Sequence, residues 1–197
     1  MTTTHLLYLH GFRSSPRSTK AQRMAAHVAQ CWPGVQWVCP ALPVSPRAAM
    51  AEVAALCADW PAATSVVMGS SLGGFYATAW AQQSGCRAVL LNPAVHPQLH
   101  GDVLVGRFPM WHDPSTTMNF EAAYLDELAA IEAWPLRHPQ RLLTIVARGD
   151  EVLDAALLER HYAQTQLHAF DGGDHALSDF EAWLPVIDAF MAAECPP

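Results

Sequence analysis

Positive charge is scarce in this chain: one lysine, Lys20, and ten arginines stand against 18 acidic residues, for a formal net charge of −7 over 197 residues. The basic residues are scattered, which excludes nucleic acid as the main partner. Cysteine is sparse and unpatterned. Cys31, Cys39, Cys57, Cys86 and Cys195 are odd in number and widely spaced, with neither a CxxC pair nor a zinc spacing. Reduced, mostly buried thiols in a cytoplasmic protein are the expectation. The start, Met1-Thr2-Thr3-Thr4-His5, lacks the basic region of a signal peptide. An unbroken apolar run is missing too. Residues 60–86 are free of charge, but Pro61, Ser70, Ser71, Gly73, Gly74, Gln82 and Gln83 interrupt them, so a buried strand, turn and helix is expected there and no membrane span. No internal repeat or low-complexity segment marks a second domain.

What is present is a chain 51% hydrophobic and 15% charged, with a mean hydropathy of +0.10. That composition suits one well-buried domain spanning 1–197. Short apolar runs at His5–His10, Val35–Cys39, Ser65–Met68, Arg87–Leu91, Arg141–Ala147 and Gln166–Phe170 read as strands buried on both faces. Helical patterns separate them at Thr19–Cys31, Arg47–Trp60, 72–84 and Leu153–Thr165. In the tail, Ser178 and Glu181 form a capping-box pattern ahead of an apolar stripe, and Pro185 predicts a kink or two consecutive helices. The alternation predicts an α/β fold: a mostly parallel, doubly wound sheet of about six strands with its site at the strands' carboxyl ends. Residues 94–139 break the rhythm and read as a short cap or lid insertion of loop plus one helix, Phe120–Trp134.

Gly69-Ser70-Ser71-Leu72-Gly73 lies between a strand and a helix and matches the G-x-S-x-G turn that exposes a serine hydroxyl. Serine at neutral pH needs a base to take its proton and an acid to orient that base. Asp150 follows the fifth strand and His175 the sixth, so the chain order Ser71, Asp150, His175 is that of α/β-hydrolases. Asp154 is assigned to capping the next helix, Asp174 is too close to His175 in sequence to orient it, and His168 lies within a strand. An oxyanion requires backbone donors. The N–H of Leu72 is one candidate; the N–H of Phe12, in the turn His10-Gly11-Phe12, is the other, with His10 bracing that turn. His96, His100, Asp102, His112 and Asp113 lack a metal-binding arrangement such as HExxH, and no metal is expected. Cys57 and Cys86 have no base nearby in sequence.

Several blocks together carry a family resemblance: Leu7-Tyr8-Leu9-His10-Gly11-Phe12 with Ser14-Ser15-Pro16, Gly69-Ser70-Ser71-Leu72-Gly73-Gly74-Phe75, Leu91-Asn92-Pro93-Ala94-Val95, Gly149-Asp150-Glu151-Val152-Leu153-Asp154, and Gly172-Gly173-Asp174-His175. As a set they resemble the YqiA-type esterases, small bacterial α/β-hydrolases. The resemblance implies a serine esterase acting on a small-molecule ester or acyl thioester without a cofactor, with a triad of Ser71, Asp150 and His175. A small serine peptidase or amidase using the same residues is the alternative enzyme, and a catalytically silent binding protein on the same fold is the alternative from another class.

Overall fold

The computed structural model describes residues 3–195. Met1 and Thr2, where the stretch read as lacking a leader begins, lie outside the described residues. The chain runs β1 (His5–Leu9), α1 (Thr19–Cys31), β2 (Gln36–Val38), α2 (Pro46–Leu56), β3 (Ser65–Ser70), α3 (Leu72–Ser84) and β4 (Arg87–Leu91). After β4 come α4 (Gly101–Leu104), β5 (Gly106–Pro109), β6 (Thr117–Phe120) and α5 (Ala123–Ile131). The chain then continues with β7 (Leu142–Ala147), α6 (Ala155–His161), β8 (Gln166–Phe170) and α7 (Leu184–Ala192). Six strands form one sheet in the order β2-β1-β3-β4-β7-β8, every neighbour parallel. The uncharged span 60–86 thus becomes a 3-10 turn, β3 and α3. Among the described residues no helix is long and apolar enough to cross a membrane.

Alternation along each strand divides the core in two, because successive side chains leave a strand on opposite faces. Leu7, Leu9, Val67, Ala88, Leu90 and Val146 pack with α2, α3, α5 and α6. Leu6, Tyr8, Met68, Val89, Leu91 and Ile145 pack with α1 and α7. Each fully buried Val, Leu or Ile contributes roughly 1.5–3 kcal/mol, and both faces are continuous, as a doubly wound sheet requires. Local signals set the helix starts. Ser18 accepts the Ala21 N–H ahead of α1, Ser45 accepts the Ala48 N–H ahead of α2 with Pro46 at the first turn, and Asp154 caps α6 through the N–H groups of Ala156 and Leu157.

Three expectations change. Residues 94–139 hold more than one helix: β5 and β6 pair antiparallel, Gly106 opposite Phe120 and Pro109 opposite Thr117. These strands have four residues each, with Pro109 and Pro114 breaking the pattern, so local alternation is too short to reveal them. The capping box is not formed. Ser178 Oγ donates instead to Asp174, and Glu181 pairs with Arg23 at 2.9 Å. A 3-10 turn at Phe180–Trp183 then leads into α7 with Pro185 in its first turn, giving the two consecutive helices that the proline predicts. Of the cysteines, only Cys57 and Cys86 are buried.

Candidate active site

β3 runs into α3 through Ser71, whose backbone has φ 56° and ψ −122°. A positive φ on a non-glycine residue is costly and persists only where its surroundings enforce it. Here the Ser71 N–H donates to the Leu91 carbonyl at 3.0 Å, and the Ser71 carbonyl accepts from Gly74, Phe75 and Ala94. The two motif glycines are sterically required. A Cβ on Gly69 would lie 2.1 Å from the Gly73 carbonyl oxygen, and one on Gly73 would lie 2.0 Å from that of Leu9. The elbow is therefore pressed between β1 and its own helix. Ser71 makes no side-chain bond to the start of α3, which leaves its hydroxyl directed elsewhere.

That hydroxyl meets His175 Nε2 at 3.1 Å, and His175 Nδ1 meets Asp150 Oδ2 at 2.8 Å. Asp150 has no exposed side-chain surface, whereas 22% of the His175 side chain is exposed. Burial pushes the Asp150 carboxyl up, but the hydrogen bond from His175, the N–H groups of Leu153 and Val152, and the His175 charge outweigh it and hold it below the ordinary carboxylate value. An ionised Asp150 accepts from Nδ1, which leaves Nε2 able to accept the serine proton. The three sequence-predicted residues thus form one hydrogen-bonded line, drawn from the ends of β3, β7 and β8. Asp174 is occupied with Ser178, and His168 packs its ring toward Trp183.

The turn after β1 lies beside this line, with Gly11 against Ser71. Among the described residues the N–H groups of Phe12 and Leu72 donate to no protein acceptor. Leu72 also opens the 13-residue α3, whose N-terminal dipole favours negative charge at this point. His10 is buried and braces the turn: its Nε2 accepts the Leu42 N–H at 3.1 Å and its Nδ1 lies 3.0 Å from the Gly11 carbonyl. The pair fixes the neutral tautomer with the proton on Nδ1. Burial lowers the pKa of His10, with His112 adding to the effect against the Gly11 bond.

Ser71 and His175 border two lobes. One, of about 360 Å³, is apolar, with walls of Leu72, Val95, Val103, Phe108 and Leu157. The other, of about 510 Å³, differs in carrying the charged and titratable side chains Arg17, Lys20, His112 and Glu151 in its walls. Trp111 borders both. It belongs to the β5–β6 connection, which is fastened to the turn after β1. The Trp111 N–H donates to the Arg13 carbonyl at 2.9 Å, Arg13 Nε donates to the Pro109 carbonyl at 2.9 Å, and the Arg13 guanidinium sits 3.9 Å from the Trp111 ring centre. Phe12 also sets its ring edge-on against Phe108 and Phe120.

Several residues of the site have no role assigned from sequence, although Asn92 and Glu151 stand in blocks that carry the family resemblance. Lys20 donates to the Ala176 carbonyl beside His175; burial lowers its pKa to about 8, opposed by Asp174 and Asp150. Glu151 accepts the His175 N–H at 3.0 Å. Asn92, read in sequence as the end of a strand, contacts the loops of both the acid and the base. Of the acidic and histidine side chains of 94–139, His96 pairs with Glu132, and Asp113 is held by Ser115 and Thr116. Among the described residues no three His, Cys, Asp or Glu side chains converge as a metal would require.

The model of the uncharacterised protein family UPF0227 matches residues 5–192. A UPF0227 protein of Serratia proteamaculans (strain 568) is 29% identical over 114 residues, an alignment that spans 54% of this chain and 57% of that protein. The chain thus matches little more than half the length of this curated relative. Among solved structures, alpha/beta hydrolase domain-containing protein 10 from mouse superposes with TM-score 0.73 at 12% identity, covering 97% of this chain and 91% of the other. Est1E from Butyrivibrio proteoclasticus gives TM-score 0.72 at 13% identity, with coverage of 96% and 87%. The esterase domain of a Rhodothermus marinus protein gives 0.65 at 17%, with coverage of 95% and 85%. At these identities the likeness concerns the fold. With its parallel sheet and its motifs in the expected order, the chain belongs to the UPF0227 family, that of the YqiA-type proteins, and has the α/β-hydrolase fold.

Proposed function

We propose that this protein is a serine hydrolase that cleaves carboxylic esters through an acyl-enzyme. The observation that carries the reading is the line Ser71–His175–Asp150 beside two uncommitted N–H groups. Ser71 Oγ bonds to the acyl carbon as its proton passes to His175 Nε2, and Asp150 stabilises the resulting imidazolium. The carbonyl oxygen, now an anion, takes hydrogen bonds from the Leu72 and Phe12 N–H groups. The bond to the leaving group breaks and His175 returns the proton to it. Water then attacks the acyl-enzyme with His175 again as base, releasing the acid and Ser71.

The two lobes support a division of the substrate. The acyl chain enters the apolar lobe, and the alcohol, or the thiol of a thioester, leaves through the lobe that carries the charged side chains. Residues 94–139 act as the cap that closes the apolar lobe. Among the described residues no two cysteines are joined in a disulfide, which supports a reducing, cytoplasmic setting.

With a short acyl nitrophenyl ester, Ser71→Ala lowers kcat by ~10³-fold or more and leaves the fold intact; unchanged turnover would overturn the mechanism. A matched ester and anilide of one acyl group, assayed side by side, are expected to favour the ester. Equal or faster amide cleavage would mark a peptidase or amidase. A fluorophosphonate that fails to label Ser71 in folded protein would indicate a silent binding protein.

A further inference from the structure

Asn92 follows the last residue of β4 and is fully buried, with φ 40°. Its backbone N–H donates to the Ile145 carbonyl at 2.9 Å, extending the β4–β7 ladder by one residue. The side chain goes further. Oδ1 accepts the Ala147 N–H at 2.8 Å, at the point where β7 gives way to the turn that carries Asp150. Nδ2 donates to the carbonyls of Asp174 at 3.1 Å and His175 at 3.3 Å. Both donors and the acceptor of the carboxamide are therefore used, and flipping it would oppose donor to donor and carbonyl to carbonyl. The same stretch of chain grips the elbow, since Leu91 accepts the Ser71 N–H and Ala94 donates to the Ser71 carbonyl.

One buried amide thus spans the two loops whose separation sets the His175–Asp150 hydrogen bond, from a strand end that also fixes Ser71. We propose that Asn92 is a positioning residue that holds the base in register with its orienting acid. This rests on the reading of Ser71, His175 and Asp150 given above. A bond deep in an excluded site keeps its strength because water does not compete for it. The left-handed backbone also explains the residue type: asparagine tolerates a positive φ, and glycine, which does so too, has no amide.

The test separates the two arms of the amide. Asn92→Asp keeps the size and the acceptor for Ala147 but removes both donors to the histidine loop. Asn92→Gly keeps the backbone conformation and removes the whole side chain. In each variant, folded by circular dichroism, kcat for a short ester is expected to fall ~10–100-fold with KM changed less than about twofold. In Asn92→Gly, which adds no charge, the His175 imidazole, followed by NMR titration in the full chain, is expected to titrate below the wild type, because an imidazolium that drifts from Asp150 loses stabilisation. Asp150, Glu151, Asp174, Lys20, Arg13, Arg17, Asp154, His100 and His112 are the other titratable or charged groups that contact it or share its two lobes, and Asn92→Gly alters none of them. The titration needs no turnover, so a wild type without esterase activity would sink the functional reading while leaving the role of Asn92 readable. A folded variant with wild-type kcat and an unmoved titration would make Asn92 a strand-end brace and overturn the proposal. Wild-type protein provides a check should neither variant fold. Phosphonylation of Ser71 is expected to shift the Asn92 carboxamide resonances, and unshifted signals would overturn it equally.

Discussion

At the scale of single residues, Ser71 holds a conformation that serine does not adopt unaided, and the glycines around it make that possible. Gly73 lets α3 approach the carbonyl end of β1 so closely that a methyl group would overlap the Leu9 oxygen at 2.0 Å. The obstacle is backbone, which cannot rotate away, so β1 and α3 would have to separate. Gly73→Ala is expected to cost more than about 3 kcal/mol in chemical denaturation. A cost below about 1 kcal/mol would mean that the turn after β1 yields easily and that the elbow is not held as described. The pentapeptide with the acid and base beyond their strands was legible in sequence because each obeys a short-range rule of turn chemistry. The role of Asn92 was not legible, although its block belongs to the family resemblance, because an asparagine before proline also marks any strand end.

At the scale of elements, the apolar lobe is assembled from pieces that are remote in sequence. α6 contributes Leu157, α4 contributes Val103, and β5 contributes Phe108. Leu157 lies on the first turns of α6, a helix anchored to the sheet by its buried Leu158, so a larger side chain there fills the lobe without loosening the elbow. Leu157→Trp is expected to lower kcat/KM for octanoyl esters at least ~10-fold while changing acetyl esters by less than ~3-fold. An equal loss for both chain lengths would place the acyl chain elsewhere. The β5–β6 hairpin above this lobe escaped sequence reading because neither strand has an amphipathic pattern long enough to register. Its fastening to Arg13 joins segments almost a hundred residues apart, through backbone carbonyls that no residue pattern advertises.

At the scale of the whole molecule, residues 94–139 are tied to the sheet by a cluster beneath α5. Glu132 pairs with His96 and accepts from Gln98 at 2.6 Å, while the His161 ring of α6 lies 4.1 Å from that of Trp134 and 5.2 Å from that of His96. Burial lowers the His161 pKa to about 4, with His96 adding to the effect against Glu132. The folded protein therefore keeps His161 neutral where the unfolded chain, near the ordinary ~6.5, protonates it. The unfolded state binds more protons in that window, so the stability from a neutral His161 is fully present above pH ~6.5 and is lost as pH falls toward 4. With solvent screening the loss amounts to about 1–2 kcal/mol. His161→Phe keeps an aromatic ring against Trp134 and is expected to flatten this part of the stability curve in urea titrations from pH 7 to 4. An unchanged slope would assign the acid sensitivity to other groups.

Sequence by itself determined the order of strands and helices along the chain, the parallel class of the sheet, and the residue types able to supply a nucleophile, base and acid. These are written in windows of five to fifteen residues, where side-chain period and turn chemistry act locally. The strand order β2-β1-β3-β4-β7-β8 decided the rest. By seating β4 between β3 and β7, it puts Asn92 within reach of the loops of Asp150 and His175. It likewise sets Ser71 and His175, 104 residues apart, 3.1 Å from one another. Such meetings depend on which strand lies beside which, and burial of both sheet faces selects that arrangement for the chain as a whole.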